Sequence, residues 1–218
     1  MARFPFLPRF EALPATLPIF PLPGAIVMPG SDLPLNIFEP RYLNMVEDTL
    51  GTHRLIGMIQ PEPDTTTGDP ALCHIGCAGR ITQYRETADG RIELVLTGAS
   101  RFVAGEELPT TRGYRMVVPD WTPFAADSAD HLDEPLRERD NLLGALRGYF
   151  EANQLEVDWQ RMVELPPRRM LNSLMTVLPL EQADKQTLLE TVDDDTRARL
   201  FSGMLQSASS APEDLTRH

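Results

Sequence analysis

Lysine is almost missing from this chain. Of its 20 basic residues in 218, only Lys185 is lysine and the others are arginine. Any chemistry that needs a lysine must use that one. Cysteine is scarce as well: Cys73 and Cys77 are too few for a disulfide framework, and a reducing cytosol would keep them as thiols. No stretch approaches the roughly 18–20 uninterrupted apolar residues of a membrane span. Pro5, Pro8, Pro14 and Pro18 interrupt every apolar run that could serve as a signal-peptide core. We therefore expect a cytoplasmic protein with no membrane contact. Positive charge is also short, with 20 basic residues against 32 acidic ones, a net charge of −12 and a pI near 4.7. That argues against nucleic acid as the partner, because phosphate binding needs a basic surface.

What is present is ordinary for a folded protein: 42% apolar and 24% charged residues, with length enough for one sizeable core or two modest ones. Twenty prolines, concentrated early, suggest edge strands and rigid turns. The first half reads as β-rich. Strands are predicted at 17–22, 26–28, 33–38, 55–60, 78–87, 91–97, 101–107 and 114–119. Pro29 to Asp32 forms a turn cluster, 61–70 a loop and Gly98 to Ser100 a bend. Asp89-Gly90 marks a hairpin. Residues 41–50 carry helical spacing, with Pro40 in the first turn and Gly51 at the end.

After Trp121 the period changes from two to 3.6, and helices are predicted at 133–154, 167–178, 181–192 and 194–206, with a short helix or turn at 159–165. The expected class is α+β. A β-rich subdomain spans 1–122 and a helical bundle 123–207, entered through a linker at 123–129. A flexible tail spans 208–218.

Few residues suggest catalysis. A nucleotide loop needs glycines leading into Gly-Lys-Ser/Thr, and Lys185 sits between Asp184 and Gln186 with no glycine near. A Ser–Lys dyad needs an unprotonated lysine beside a serine, and an exposed lysine with a pKa near 10.4 is a poor base. Cys73, His74 and Cys77 form one metal-like cluster. Cys-x3-Cys without a second ligand pair is weak for zinc, and on a strand these side chains diverge. Cys73 and His74 as neighbours would face opposite ways, which counts against a nucleophile pair. Asp193 to Asp195 read as a helix cap before a cation site. No cofactor is expected.

Three linked stretches carry a resemblance. They are Leu17-Pro18-Ile19-Phe20-Pro21-Leu22-Pro23, then Met28-Pro29-Gly30, then Ile37-Phe38-Glu39-Pro40-Arg41-Tyr42. Together they resemble the opening of the Lon protease amino-terminal, substrate-binding domain family. Gly76 in Ile75 to Ile81, Arg101-Phe102 after Gly98, and Lys185-Gln186 in Lys185 to Glu190 resemble later motifs of that family. The resemblance covers residues 14–206. It implies a PUA-like pseudo-barrel of about six strands with one helix, followed by a helical bundle, a β-fold also found in cereblon. It also implies a non-catalytic module, standing alone without the motor and the peptidase of full-length Lon. Phe38 and Tyr42 are expected to pack across the helix corner, which is an architectural role.

With catalysis set aside, binding remains. The first expectation is recognition of unfolded or exposed-hydrophobic polypeptide segments through an exposed apolar patch. Met45, Met58, Met116, Met170 and Met175 are available for it, although each is more readily core. The second is an adaptor for a protein partner such as a Lon-type protease. The third is a small-molecule site in the crevice between barrel and bundle, with Arg80, Arg85, Arg101 and Arg115 as candidate polar groups, strand arginines being usually solvated.

Overall fold

The structure, a computed structural model, describes residues 6–63, 70–127 and 132–210. Its sheet is built on β1 (Leu17–Pro21), which runs parallel to β3 (Leu55–Ile59) and antiparallel to β6 (Arg115–Asp120). β4 (Ile75–Glu86) and β5 (Ile92–Leu108) form the expected hairpin, with Gly90 at φ +80° supplying the left-handed turn residue. β5 pairs with β2 (Asp32–Ile37) through its first half and with β6 through its second. Five strands, β1, β3, β4, β5 and β6, thus close into a ring, and β2 flanks it. This is the expected pseudo-barrel of six strands.

The bend expected at Gly98 to Ser100 is a bulge inside one continuous strand. Ala78 lies opposite Ser100 and Gly79 opposite Gly98, which leaves Ala99 as the extra residue. The bulge presses Gly98 against the chain before β2. A Cβ there would lie 2.0 Å from the Met28 carbonyl oxygen. The Gly98 N–H donates to the Ser31 carbonyl, and its own carbonyl accepts from Gly30 N–H.

Residues 26–28, expected as a strand, are irregular though buried. The reason is local. Ser31 Oγ accepts from Met28 N–H and donates to the Met28 carbonyl, so a side chain takes the place of a strand partner.

α1 (Pro40–Leu50) starts on its proline and buries Tyr42, Met45 and Val46. The Tyr42 ring centroid sits 4.1 Å from that of Phe20. Phe38 does not pack on Tyr42 as expected. It is 59% exposed, with the Arg91 guanidinium 5.4 Å over its ring.

The helical part holds α2 (Arg139–Ala152), α3 (Trp159–Glu164), α4 (Pro167–Val177), α5 (Gln182–Glu190) and α6 (Asp194–Ser210). α2 begins at Arg139 rather than at 133. Pro135 pushes its predecessor out of helical space, and the Asp195 carboxylate accepts from the Arg137 and Glu138 N–H groups, fixing a turn there. α6 runs through Ser210, so the expected tail starts inside a helix; 211–218 lie outside the described residues. Asp193 caps α6, accepting from Thr196 N–H at 2.7 Å, and those hydrogen bonds hold its carboxyl below the usual range. The expected linker is a 3-10 segment, Thr122–Asp127, with Phe124 buried; 128–131 lie outside the described residues.

One apolar cluster joins Phe20, Met28, Tyr42 and Leu96 of the β part to Leu146, Phe150, Met175 and Phe201 of the helices. A smaller one, with Leu17, Ile19, Phe102 and Val117, draws on all five ring strands. Each such side chain fully buried contributes about 1.5–3 kcal/mol. Met45, Met58, Met170 and Met175 are core and Met116 is half-buried, so the methionines do not form a binding surface.

Candidate functional site

The seam between sheet and helices gathers most of the polar motif residues. Gln60, wholly buried at the end of β3, accepts from Gly24 N–H at 3.0 Å. Its amide donates to the Gln182 carbonyl at 3.1 Å and to Gln186 Oε1 at 3.0 Å. Gln186 in turn donates to the Ile75 carbonyl at 3.1 Å.

Lys185 corrects an expectation. It is 7% exposed, and its Nζ donates to the Gly24 carbonyl at 3.0 Å and the Thr176 carbonyl at 3.5 Å. Desolvation lowers its pKa. Its partners are carbonyls rather than a serine hydroxyl, so it ties α5 to α4 and to the loop that follows β1.

Arg101, expected to be solvated, is 2% exposed. Its Nε and Nη2 reach the two carboxylate oxygens of Asp127 at 2.8 and 2.7 Å. Its Nη1 donates to the Leu189 and Thr191 carbonyls at 3.1 and 2.7 Å. The guanidinium lies 4.5 Å over the Phe124 ring. Burial opposes the charge, but hydrogen bonding and attraction from Asp127 outweigh it and raise the Arg101 pKa. Beside it Arg197, paired with Asp194, is lowered to about 10 by burial and by the Arg101 charge.

The cysteine cluster does not converge. Cys77 is buried, Cys73 half-buried with its sulfur toward the Pro61 carbonyl at 3.9 Å, and His74 exposed. Among the described residues no three His, Cys, Asp or Glu side chains come together to hold a metal. Burial raises both thiol pKa values, that of Cys77 strongly, which leaves them poor nucleophiles.

Surface depressions are present among the described residues. A crevice of about 330 Å³ lies where Pro21, Pro23, Tyr42, Pro61, Arg115 and Gln182 meet, at the barrel–bundle junction. Of the four strand arginines only Arg115 lines it. Arg80 donates to the His53 carbonyl and Arg85 pairs with Glu93 on the surface. A groove of about 460 Å³ lies over the sheet where β2, β5 and β4 run side by side, lined by Pro34, Leu35, Gln83, Tyr84, Arg85 and Val95. Phe38, exposed, follows β2 directly.

Residues 16–207 match the sequence model of the ATP-dependent protease La (LON) substrate-binding domain. The chain belongs to that family.

Its relatives include the Lon protease of Desulfovibrio desulfuricans, 25% identical over 201 residues, covering 90% of this chain and 22% of that protein. The Lon protease of Desulfosudis oleivorans is 29% identical over 217 residues, covering 92% of this chain and 26% of that one. The chain therefore spans about a quarter of the length of the curated Lon proteases it matches. Among solved structures, the Lon N-terminal domain protein from Xanthomonas campestris is 26% identical with a TM-score of 0.61, covering 86% of this chain and 97% of that one. The N-terminal domain of the Mycobacterium avium complex Lon protease shares the fold at 18% identity and a TM-score of 0.63, covering 92% of this chain and all of that one.

The match is to the substrate-binding, N-terminal part of the Lon architecture. The structure places its motif residues on joints. Phe20 stacks on Tyr42 and Phe102 sits in the ring core, 5.7 Å from Trp121. Gly76 faces Phe102, Pro29 accepts from the Asn172 amide, and Glu39 pairs with Arg41. Pro21 and Tyr42 wall the crevice, and Leu22 donates its N–H to the Ile59 carbonyl. Gln60, Asp127 and the β2 flank escaped the sequence reading. A glutamine closing an apolar strand was the one available signal; Asp127 has none.

Proposed function

We propose that this domain binds polypeptide segments that expose apolar side chains, as the description of its family suggests. The observation that carries the reading is the β2 flank. Pro34, Leu35 and Val95 line a groove of about 460 Å³ over the β2–β5–β4 face, and Phe38, 59% exposed, follows β2 directly in the chain. Concave, partly apolar surfaces with a few polar groups suit such ligands. A net charge of −12 favours neutral or basic segments and speaks against nucleic acid. No helix among the described residues is long and apolar enough to cross a membrane. The two unpaired thiols support a reducing, cytoplasmic setting.

The test is fluorescence anisotropy with a labelled, reduced and carboxymethylated protein that cannot fold. Saturable binding, weakened several-fold by Phe38→Ser, is expected. An absence of binding by the wild-type domain counts decisively against the reading.

A further inference from the structure

β2 has one strand partner. Along its six residues it pairs with β5 without a register shift, from Asp32 opposite Thr97 to Ile37 opposite Ile92. No strand among the described residues pairs with its other edge. Antiparallel pairs alternate between residues that exchange hydrogen bonds and residues that turn those groups away. The Gly98 N–H donates to the Ser31 carbonyl, which fixes the phase. Leu33, Leu35 and Ile37 therefore face β5 with their backbone groups, and Asp32, Pro34 and Asn36 face outward. The position of Pro34 agrees, because its missing N–H removes nothing from the ladder.

We propose that the outer edge of β2 takes an extended polypeptide segment as an added strand. This rests on the polypeptide-binding reading above and names the surface and the backbone chemistry it uses. The outward row offers three carbonyls but only two N–H donors, those of Asp32 and Asn36. An incoming strand that donates freely completes it, with main-chain hydrogen bonds supplying affinity.

A second copy of β2 is a poor occupant. Any two-fold register that pairs more than one of the three outward positions sets Pro34 where a donor is needed, and both copies carry a net charge of −12. A neutral or basic segment from another protein avoids the charge repulsion and loses one ladder bond at Pro34 where a second copy of β2 loses two.

The far half of β4 is also unpaired on its outer side, but it is protected. A register shift at Thr82 twists it, and Tyr84, Arg85 and Glu86 stand exposed along it. Bulges and charges of this kind blunt an edge. β2 has no bulge, its single charge, Asp32, sits at its first residue and accepts from Thr97 Oγ1 at 2.6 Å, and one of its faces carries Leu33 and Leu35, half-buried against the core.

The test separates backbone from side chain. The probe is a fluorescein-labelled ten-residue peptide of alternating valine and threonine between terminal lysines. Asn36→Ala keeps the outward N–H and retains affinity. Asn36→Pro removes that donor without touching the pairing with β5, and binding falls about tenfold or more. Equal binding by wild type and Asn36→Pro overturns strand addition while leaving polypeptide binding in place. Should Asn36→Pro fail to fold, the wild-type domain is titrated with peptides N-methylated on alternate residues in either phase. Affinity lost in one phase and kept in the other supports the edge; affinity kept in both overturns it. Failure of the wild type to bind both the peptide and the carboxymethylated protein removes the broader reading as well.

Discussion

Arg101 and Asp127 meet in a two-point ion pair, at 2.8 and 2.7 Å, with side chains only 2% and 8% exposed. The pair joins β5 to the segment that leads into the helices. Through its remaining donors Arg101 also holds the α5–α6 connection at Thr191.

Breaking that pair leaves one charge buried without its partner. Asp127→Asn or Arg101→Met is expected to cost about 3–5 kcal/mol in urea denaturation. The double variant Arg101→Met with Asp127→Leu recovers part of the loss, because no buried charge is stranded. A double variant less stable than either single one contradicts this account.

Two glycines should respond in opposite directions to alanine. At Gly76 a Cβ would lie 2.6 Å from the Met58 carbonyl oxygen and 2.7 Å from Phe102 Cζ, so Gly76→Ala is expected to cost about 1–3 kcal/mol. At Gly144, inside α2, a Cβ meets nothing within 4 Å, and Gly144→Ala stabilises by about 0.5–1 kcal/mol. Thermal unfolding of the two variants checks both signs.

Lys185 gives a pH signature. Its folded pKa lies below the ordinary 10.5 because burial disfavours the charged amine. Between the two values the unfolded chain holds more protons, so stability rises with pH in that window. Wild type should therefore gain stability relative to Lys185→Met as pH approaches 10.5 and gain nothing further above it. A difference curve that falls over that range refutes the assignment.

The thiols should resist modification. Cys77 is fully buried with its pKa well above the usual value. Under native conditions at pH 8 it is expected to react with an aromatic disulfide reagent only after denaturant is added, and half-buried Cys73 to react first. Prompt native labelling of Cys77, followed by mass spectrometry, would show that the ring opens locally.

Much of the architecture was legible because its causes are local. Pro40 and Pro167 start helices, Asp89-Gly90 makes the hairpin, and the change of period after Trp121 separates sheet from helix. The errors have a common origin. The apolar run 26–28 looks like a strand, yet the Ser31 side chain satisfies its backbone. The start of α2 depends on Asp195, 56 residues beyond Arg139 in the chain. Lys185 and Arg101 read as surface charges because their acceptors, Gly24 and Asp127, lie far away in sequence.

By itself the sequence determined the α+β class, the β4–β5 hairpin, most of the helices, the family, and the absence of a nucleotide loop, since each follows from residue types at short spacing. Only the tertiary structure decided which charges are buried and which edge stays open. A charge goes inside when distant partners converge on it, and a strand edge is open when the ring closes without it. β2 shows the second case: its residues spell a strand, but only the closure of the other five leaves its outer edge without a strand partner among the described residues.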